Sequence, residues 1–317
     1  MKSKKILIDI FVITSFLVLF VIWDQNVLNK SLPTTTAPST KNMRIDLITT
    51  DNQEEFWKYI SEGASDMAAI SGVTYAWMYP DERNPEKQIQ VMKKAIERGA
   101  SALLVVADDP KKLSGVVEDA KAKGIYVVYV DSPANEEAIT TLATNNHEAG
   151  YEAGEKMIEY LDKTGAKKGS IGIVNLRGKL TTNQREEGFR EALSKDARFD
   201  VLPSINVAAP AVTAQEAAEK LISQNNDLVG LFGTNEGTSE GVGSANKKYN
   251  NKYVAIGFDT SSITRKLLDE GSLNVIIEQN PYTMGYVGMA EAIAAVMGKK
   301  TGPAYFNTGY NILEEDE

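Results

Sequence analysis

The sequence predicts an α/β protein of two doubly wound, Rossmann-like parallel-sheet lobes joined by a hinge and preceded by an N-terminal transmembrane helix. Three observations lead there. From Met43 onward, short apolar runs alternate with longer amphipathic ones. A long polar connection, VYVDSPANEEAITTLATNNHEAG, interrupts the alternation after the fourth apolar run. A wholly different segment, apolar and flanked by lysines, stands at the start.

In that opening segment Lys2, Lys4 and Lys5 precede ILIDIFVITSFLVLFVIW, Ile6 to Trp23, broken only by Asp9 and two hydroxyls. As a helix it spans roughly 27 Å, about the apolar thickness of a bilayer. The following DQNVLNK lacks the small-x-small pair of a cleavage site, so residues 1–23 read as an uncleaved anchor, with a cleaved signal as the alternative. In either case the lysines stay inside and the rest is exported. Residues 24–42, rich in Thr, Pro and Ser, read as a flexible tether.

Strand candidates follow in order: MRIDLIT, VTYAWMY, ALLVVA, IYVVYV, SIGIVNL, LVGLFG, YVAIGF and LNVIIEQ. Between them lie helix candidates such as QIQVMKKAIERG, KLSGVVEDAKAKG, AGYEAGEKMIEYLDKTG, QREEGFREALSK, AQEAAEKLISQ and TMGYVGMAEAIAAVMGKK. Apolar strands alternating with helices imply parallel sheets covered on both faces. The count fits one barrel or two lobes, and the polar connection favours two lobes.

In such sheets a ligand lies beyond the carboxyl ends of the strands. The residues there are the Gln53–Trp57 run, Asp131-Ser132, the loop from Arg177 to Arg185, Thr234-Asn235-Glu236, Phe258-Asp259-Thr260 and Gln279-Asn280. Planar polar groups pair with adjacent hydroxyls, and an aromatic face covers the apolar patch of a sugar ring. Glu54, Phe56, Trp57, Asp131, Arg185, Asn235, Asp259 and Gln279 make such a ligand-binding set. Phe56 and Trp57 are adjacent on a helix and point about 100° apart. One is therefore expected to seal the crevice and the other to pack at its lip.

The order and spacing of these motifs resemble the ribose/galactose branch of periplasmic sugar-binding proteins, the type I solute-binding fold. VVYVDS resembles the strand end carrying that family's ligand aspartate (Asp131), and TNNHEAGYEAGE its hinge helix. REEGFREAL resembles its Arg-x-x-Gly-Phe helix (Arg185), LFGTNEGTSEGVGSA its asparagine turn (Asn235), VAIGFDTS its Gly-Phe-Asp (Asp259), and IIEQNPYTMG its glutamine (Gln279). The resemblance covers nearly all of the exported part. It implies a non-catalytic receptor whose lobes, residues 43–145 with 281–307 and 146–280 with 308–317, close on a small sugar. The partner would be a membrane sensor histidine kinase or an ABC permease, with the membrane engaged through the N-terminal helix. Three positions depart from the pattern. Ser132 stands where ribose binders carry arginine, NVAAPAVTAQE lacks the second lobe's stacking ring, and Glu54 replaces an amide. Xylose or another pentose such as ribose is the expected ligand.

Other classes fit less well. A net charge of −9 argues against a nucleic-acid partner, and the absence of cysteine removes thiolate nucleophiles and Cys-based metal sites. His147, the single histidine, has no ligand-spaced neighbours and reads as a solvated or hinge residue, so no metal is expected. LRGKLTT lacks the spacing of a phosphate loop, and no cofactor is expected. Taken alone, Asp131 and Asp259 are equally helix caps, and Arg185 equally pairs with Glu186 or Glu187. The catalytic alternative is a glycosidase using Asp131 and Asp259. Against it, neighbouring arginine and amide groups should keep both carboxyls ionised.

Overall fold

The computed structural model describes residues 42–176, 178–208 and 211–315. The anchor, nearly all of the tether, and Arg177 lie outside that set. No helix among the described residues is long and apolar enough to cross a membrane.

The strands divide between two sheets, which excludes the single barrel. The first is assembled from β1 (Arg44–Ile48), β2 (Thr74–Met78), β3 (Ala102–Val105), β4 (Tyr126–Val130), β5 (Thr141–Ala143) and β12 (Tyr305–Asn307), in the order β12-β5-β4-β3-β1-β2. The second holds β6 (Gly169–Leu176), β7 (Phe199–Val201), β8 (Ile205–Val207), β9 (Leu228–Gly233), β10 (Val254–Phe258), β11 (Val275–Gln279) and β13 (Tyr310–Glu314). Its order is β13-β11-β10-β9-β6-β7, with β8 paired to β6 beyond β7. Every pairing is parallel except β11 with β13. The eight apolar runs all became strands. The five additional strands are short or lie in polar sequence at sheet edges, where the apolar run that marks a central strand is not required.

The helices are α1 (Glu55–Ser71), α2 (Pro85–Glu97), α3 (Pro110–Ala122), α4 (Asn146–Thr164), α5 (Leu180–Leu193), α6 (Ala211–Gln224), α7 (Glu236–Lys248), α8 (Ser262–Asp269) and α9 (Pro281–Val296). On the first sheet α1 and α9 cover one face and α2 and α3 the other; on the second, α4 and α5 oppose α6, α7 and α8. Each sheet is therefore the middle of three layers, so successive residues of one strand are all buried. Leu103 and Val105 pack toward α2 and α3, Leu104 and Val106 toward α1 and α9. This explains the unbroken apolar runs.

Most helix starts carry a side-chain cap: Asn84, Asp109 and Asn145 accept from first-turn amides, and Asn235 and Ser261 form capping boxes with Thr238 and Thr264. In contrast, α1 and α5 start at Glu54 and Lys179, neither of which makes a side-chain cap. Both of these residues face the cleft described below.

The chain passes between the sheets after β5, after β11 and after β12. The three crossings bond to one another. Thr308 N–H donates to Ala143 O at 3.0 Å, Asn280 Nδ2 to Thr308 O at 2.8 Å, and Asn145 N–H to Asn307 Oδ1 at 3.2 Å. His147 lies just past the first crossing, half-exposed, 3.3 Å from Glu191.

Candidate functional site

All eight residues singled out from the sequence, Glu54, Phe56, Trp57, Asp131, Arg185, Asn235, Asp259 and Gln279, line one cleft between the sheets. It encloses about 430 Å³ not filled by atoms, part of it open to solvent. Five stand at or just past strand ends. Glu54 comes between β1 and α1, Asp131 follows β4, Asn235 follows β9, Asp259 follows β10, and Gln279 ends β11. Arg185 reaches in from α5.

Asp131 and Asp259 occupy equivalent places in the two sheets and share an unusual backbone. Their φ angles are 64° and 67°, in the left-handed region that non-glycine residues seldom adopt. Each still donates its amide to the neighbouring strand, Asp131 to Leu142 O at 2.8 Å and Asp259 to Ile277 O at 2.9 Å. The chain thus leaves the sheet by a sharp bend that keeps the carboxylate at the cleft. Neither residue caps a helix; Ser261 does that for α8.

Arg185 is 2% exposed and held on two of its nitrogens. Its Nε donates to Asn146 Oδ1 at 2.8 Å, its Nη1 donates to Thr234 O at 2.9 Å and lies 3.6 Å from Asp259 Oδ2, and its guanidinium stacks 3.9 Å from the Phe258 ring centroid. It pairs with neither adjacent glutamate; Glu186 bonds Arg190 instead. Gln279 Nε2 donates to the other Asp259 oxygen at 2.8 Å. Both oxygens of Asp259 therefore face donors, yet burial pushes its carboxyl up to about 6, against the opposing pull of Arg185. Burial likewise raises Asp131, again opposed by Arg185. Burial thus works against the arginine and amide donors, although a carboxyl at about 6 is still largely ionised at neutral pH. Desolvation outweighs them because both side chains are almost wholly buried.

Phe56 and Trp57 differ from their sequence reading. Both are buried in the core under α1 and both line the cleft, in an edge-to-face pair 5.0 Å apart. They share one surface because the first turn of α1 is enclosed on two sides, by its own sheet and by the second lobe. Among the described residues, the indole Nε1 of Trp57 and the Oε1 of Gln279 are buried without a hydrogen-bond partner. The second lobe contributes no aromatic ring to the described lining.

Glu54 accepts from Asn235 Nδ2 at 2.6 Å and lies 3.5 Å from Arg83. Burial pushes its carboxyl up to about 7, opposed by Arg83 and reinforced by Asp51 and Asp259. Arg83 and Lys179 also line the cleft, although neither was in the ligand-binding set expected from the sequence. Arg83 pairs with Asp51 at 2.7 Å and lies 6.0 Å from the Trp57 ring. Lys179 bonds Asp108 from the opposite lobe, including a 2.9 Å bond to its carbonyl. The strand-end rule, extended to YPDERNP after β2, reaches Arg83. Lys179 lies in the strand-end loop from Arg177 to Arg185, but its partner, Asp108, depends on the facing lobe. Ser132 donates to Asp131 Oδ2 at 2.5 Å.

The cleft thus sets three carboxyls, Glu54, Asp131 and Asp259, among three cations, Arg83, Lys179 and Arg185, with amides and an aromatic pair. Opposed charges of equal number suit an uncharged ligand rich in groups that both donate and accept. Among the described residues no group of three or more His, Asp or Glu is placed to hold a metal ion.

A periplasmic binding protein domain model matches residues 45–300. The chain belongs to the periplasmic binding protein family. Among similar proteins, a ribose import binding protein of Haemophilus influenzae is 25% identical over 266 residues, 83% of this chain and 88% of that one. A D-allose-binding periplasmic protein of Escherichia coli is 24% identical over 262 residues, 78% and 83% of the respective chains. A solved carbohydrate transporter solute-binding protein from Agrobacterium radiobacter, in complex with D-arabinose, superposes with a TM-score of 0.81 at 26% identity, covering 86% of this chain and 94% of that one. Membership of the family carries with it the type I fold, with parallel sheets, and an extracytoplasmic place of work.

Proposed function

We propose that this chain binds a small neutral sugar, a pentose such as xylose or ribose, in the cleft and presents the closed form to a membrane component. The observation that carries this reading is the convergence of all eight residues on one cavity, with Trp57 Nε1 and Gln279 Oε1 still lacking partners. A polyol hydroxyl accepts from the indole and donates to the amide oxygen, which relieves two buried polar groups. In this reading the lobes are residues 43–145 with 281–307 and residues 146–280 with 308–317, and they close about the three bonded crossings. Similarity to import binding proteins supports an ABC permease as the partner; a lysine-flanked apolar start supports a sensor kinase reached in the membrane plane.

The glycosidase reading is weaker. A general acid must hold its proton, whereas Asp259 has an amide donor on one oxygen and Arg185 near the other. A thermal-shift screen of the full chain against pentoses, hexoses and their phosphates tests the proposal. The expected result is a midpoint raised by a neutral pentose at millimolar concentration and unmoved by the phosphates. No shift with any neutral sugar, or turnover of nitrophenyl glycosides, overturns it.

A further inference from the structure

The N-terminus of α1 has no cap from its own lobe. Glu54 holds the N-cap position in extended conformation, but its side chain makes no capping bond and turns to Asn235 instead. The free amides are met from the other lobe. Glu55 N–H donates to Glu236 Oε1 at 2.8 Å and Phe56 N–H to Glu236 Oε2 at 2.9 Å. The arrangement is reciprocal. Glu55 reaches the first turn of α8, accepting from Ser262 N–H at 3.2 Å and from Ser262 Oγ at 2.6 Å. Each lobe therefore lends the carboxyl oxygens of one glutamate to the open amides of a helix in the other.

Glu236 is the first residue of α7, and its 4% exposure shows it enclosed by both lobes. The Asn235–Thr238 capping box holds that turn in place. The two amides it receives belong to the turn that carries the Phe56–Trp57 pair, so Glu236 ties the backbone under the aromatic floor of the cleft to the second lobe.

We propose that Glu236 is a positioning residue for ligand capture: as the cross-lobe cap of α1 it fixes the aromatic pair and, with Glu55, forms a latch that exists only while the lobes are together. Rotation of the lobes about the three crossings breaks both caps at once and returns four donor groups to water. The latch thus adds to closure an energy that does not depend on the ligand. The inference rests on reading the cleft as one that opens and closes, so it is best tested with no sugar present.

The chain has no cysteine. Lys111→Cys on α3 and Glu216→Cys on α6, both at exposed positions, therefore carry a fluorophore pair across the two lobes of the full-length protein. Single-molecule energy transfer without sugar is expected to show a closed population exchanging with an open one. Glu236→Ala should lower the closed-to-open ratio about tenfold, and Glu55→Ala should move it the same way. Glu236→Gln keeps one acceptor and should fall between. A parent with no closed population at all without sugar, or folded alanine variants whose distributions overlay the parent, overturns the latch. If the alanine variants do not fold, an unchanged distribution for Glu236→Gln overturns it equally. Failure of the sugar screen leaves this measurement intact, so the two readings fail separately.

Discussion

Arg185 shows how one buried charge organises a site. It touches Asn146, Thr234, Phe258 and Asp259, and it is the leading counter-charge to both strand-end aspartates. Removing one member of a buried ion pair leaves the other desolvated and unpaired. Arg185→Met is therefore expected to cost about 3–5 kcal/mol in urea denaturation. It should also abolish any sugar-induced thermal shift. A loss below about 1 kcal/mol would mean that water already reaches Asp259. The identity of this arginine was legible in the Arg-x-x-Gly-Phe phrase. Its partners were not, since Asn146 and Thr234 lie 39 and 49 residues away in sequence.

At the scale of elements, close helix pairing puts these residues in reach of the cleft. A Cβ at Gly188 of α5 would meet the carbonyl oxygen of His147 at 2.0 Å, and one at Gly150 of α4 would meet that of Arg185 at 2.0 Å. The first lobe repeats the device between α1 and α9, where Gly285 faces Ile60 O and Gly63 faces Tyr282 O. Backbones in contact leave no room for a methyl group, so Gly188→Ala is expected to destabilise by about 1–3 kcal/mol. Gly115, exposed within α3, has nothing within 4 Å of its would-be Cβ. Gly115→Ala should stabilise by about 0.5–1 kcal/mol through helix propensity alone. Denaturant midpoints of the two variants should therefore move in opposite directions. The small-residue character of HEAGYEAGE was visible in sequence, but its opposing surface was not.

For the molecule as a whole, enclosure of carboxyls between lobes makes stability depend on pH with an uncommon sign. Burial pushes Asp259 up to about 6, Glu54 to about 7 and Glu236 to about 9. All three are raised above their unfolded values, so between about pH 4 and pH 9 the folded chain binds more protons than the unfolded one. The contribution of these groups is complete below the unfolded values and is lost as pH rises through the folded ones. The thermal midpoint without sugar should accordingly fall from pH 5.5 to pH 8, and Glu54→Gln together with Glu236→Gln should flatten the slope. A midpoint that rises over that interval would show these carboxyls to be better solvated than the closed cleft implies.

Local pattern alone determined the α/β class, the eight apolar strands and the strand-end positions from which a ligand is met. Those features follow from apolar periodicity and from where a buried strand must end, both of which are short-range. Even Glu54, in the loop between β1 and α1, was recognisable by position. Only the tertiary structure decided what faces what. The Lys179–Asp108 bridge, the exchange of caps by Glu236 and Glu55, and the upward displacement of Asp131 and Asp259 arise from contacts between distant segments. Periodicity records which side of an element is buried, whereas desolvation and pairing depend on the surface that buries it.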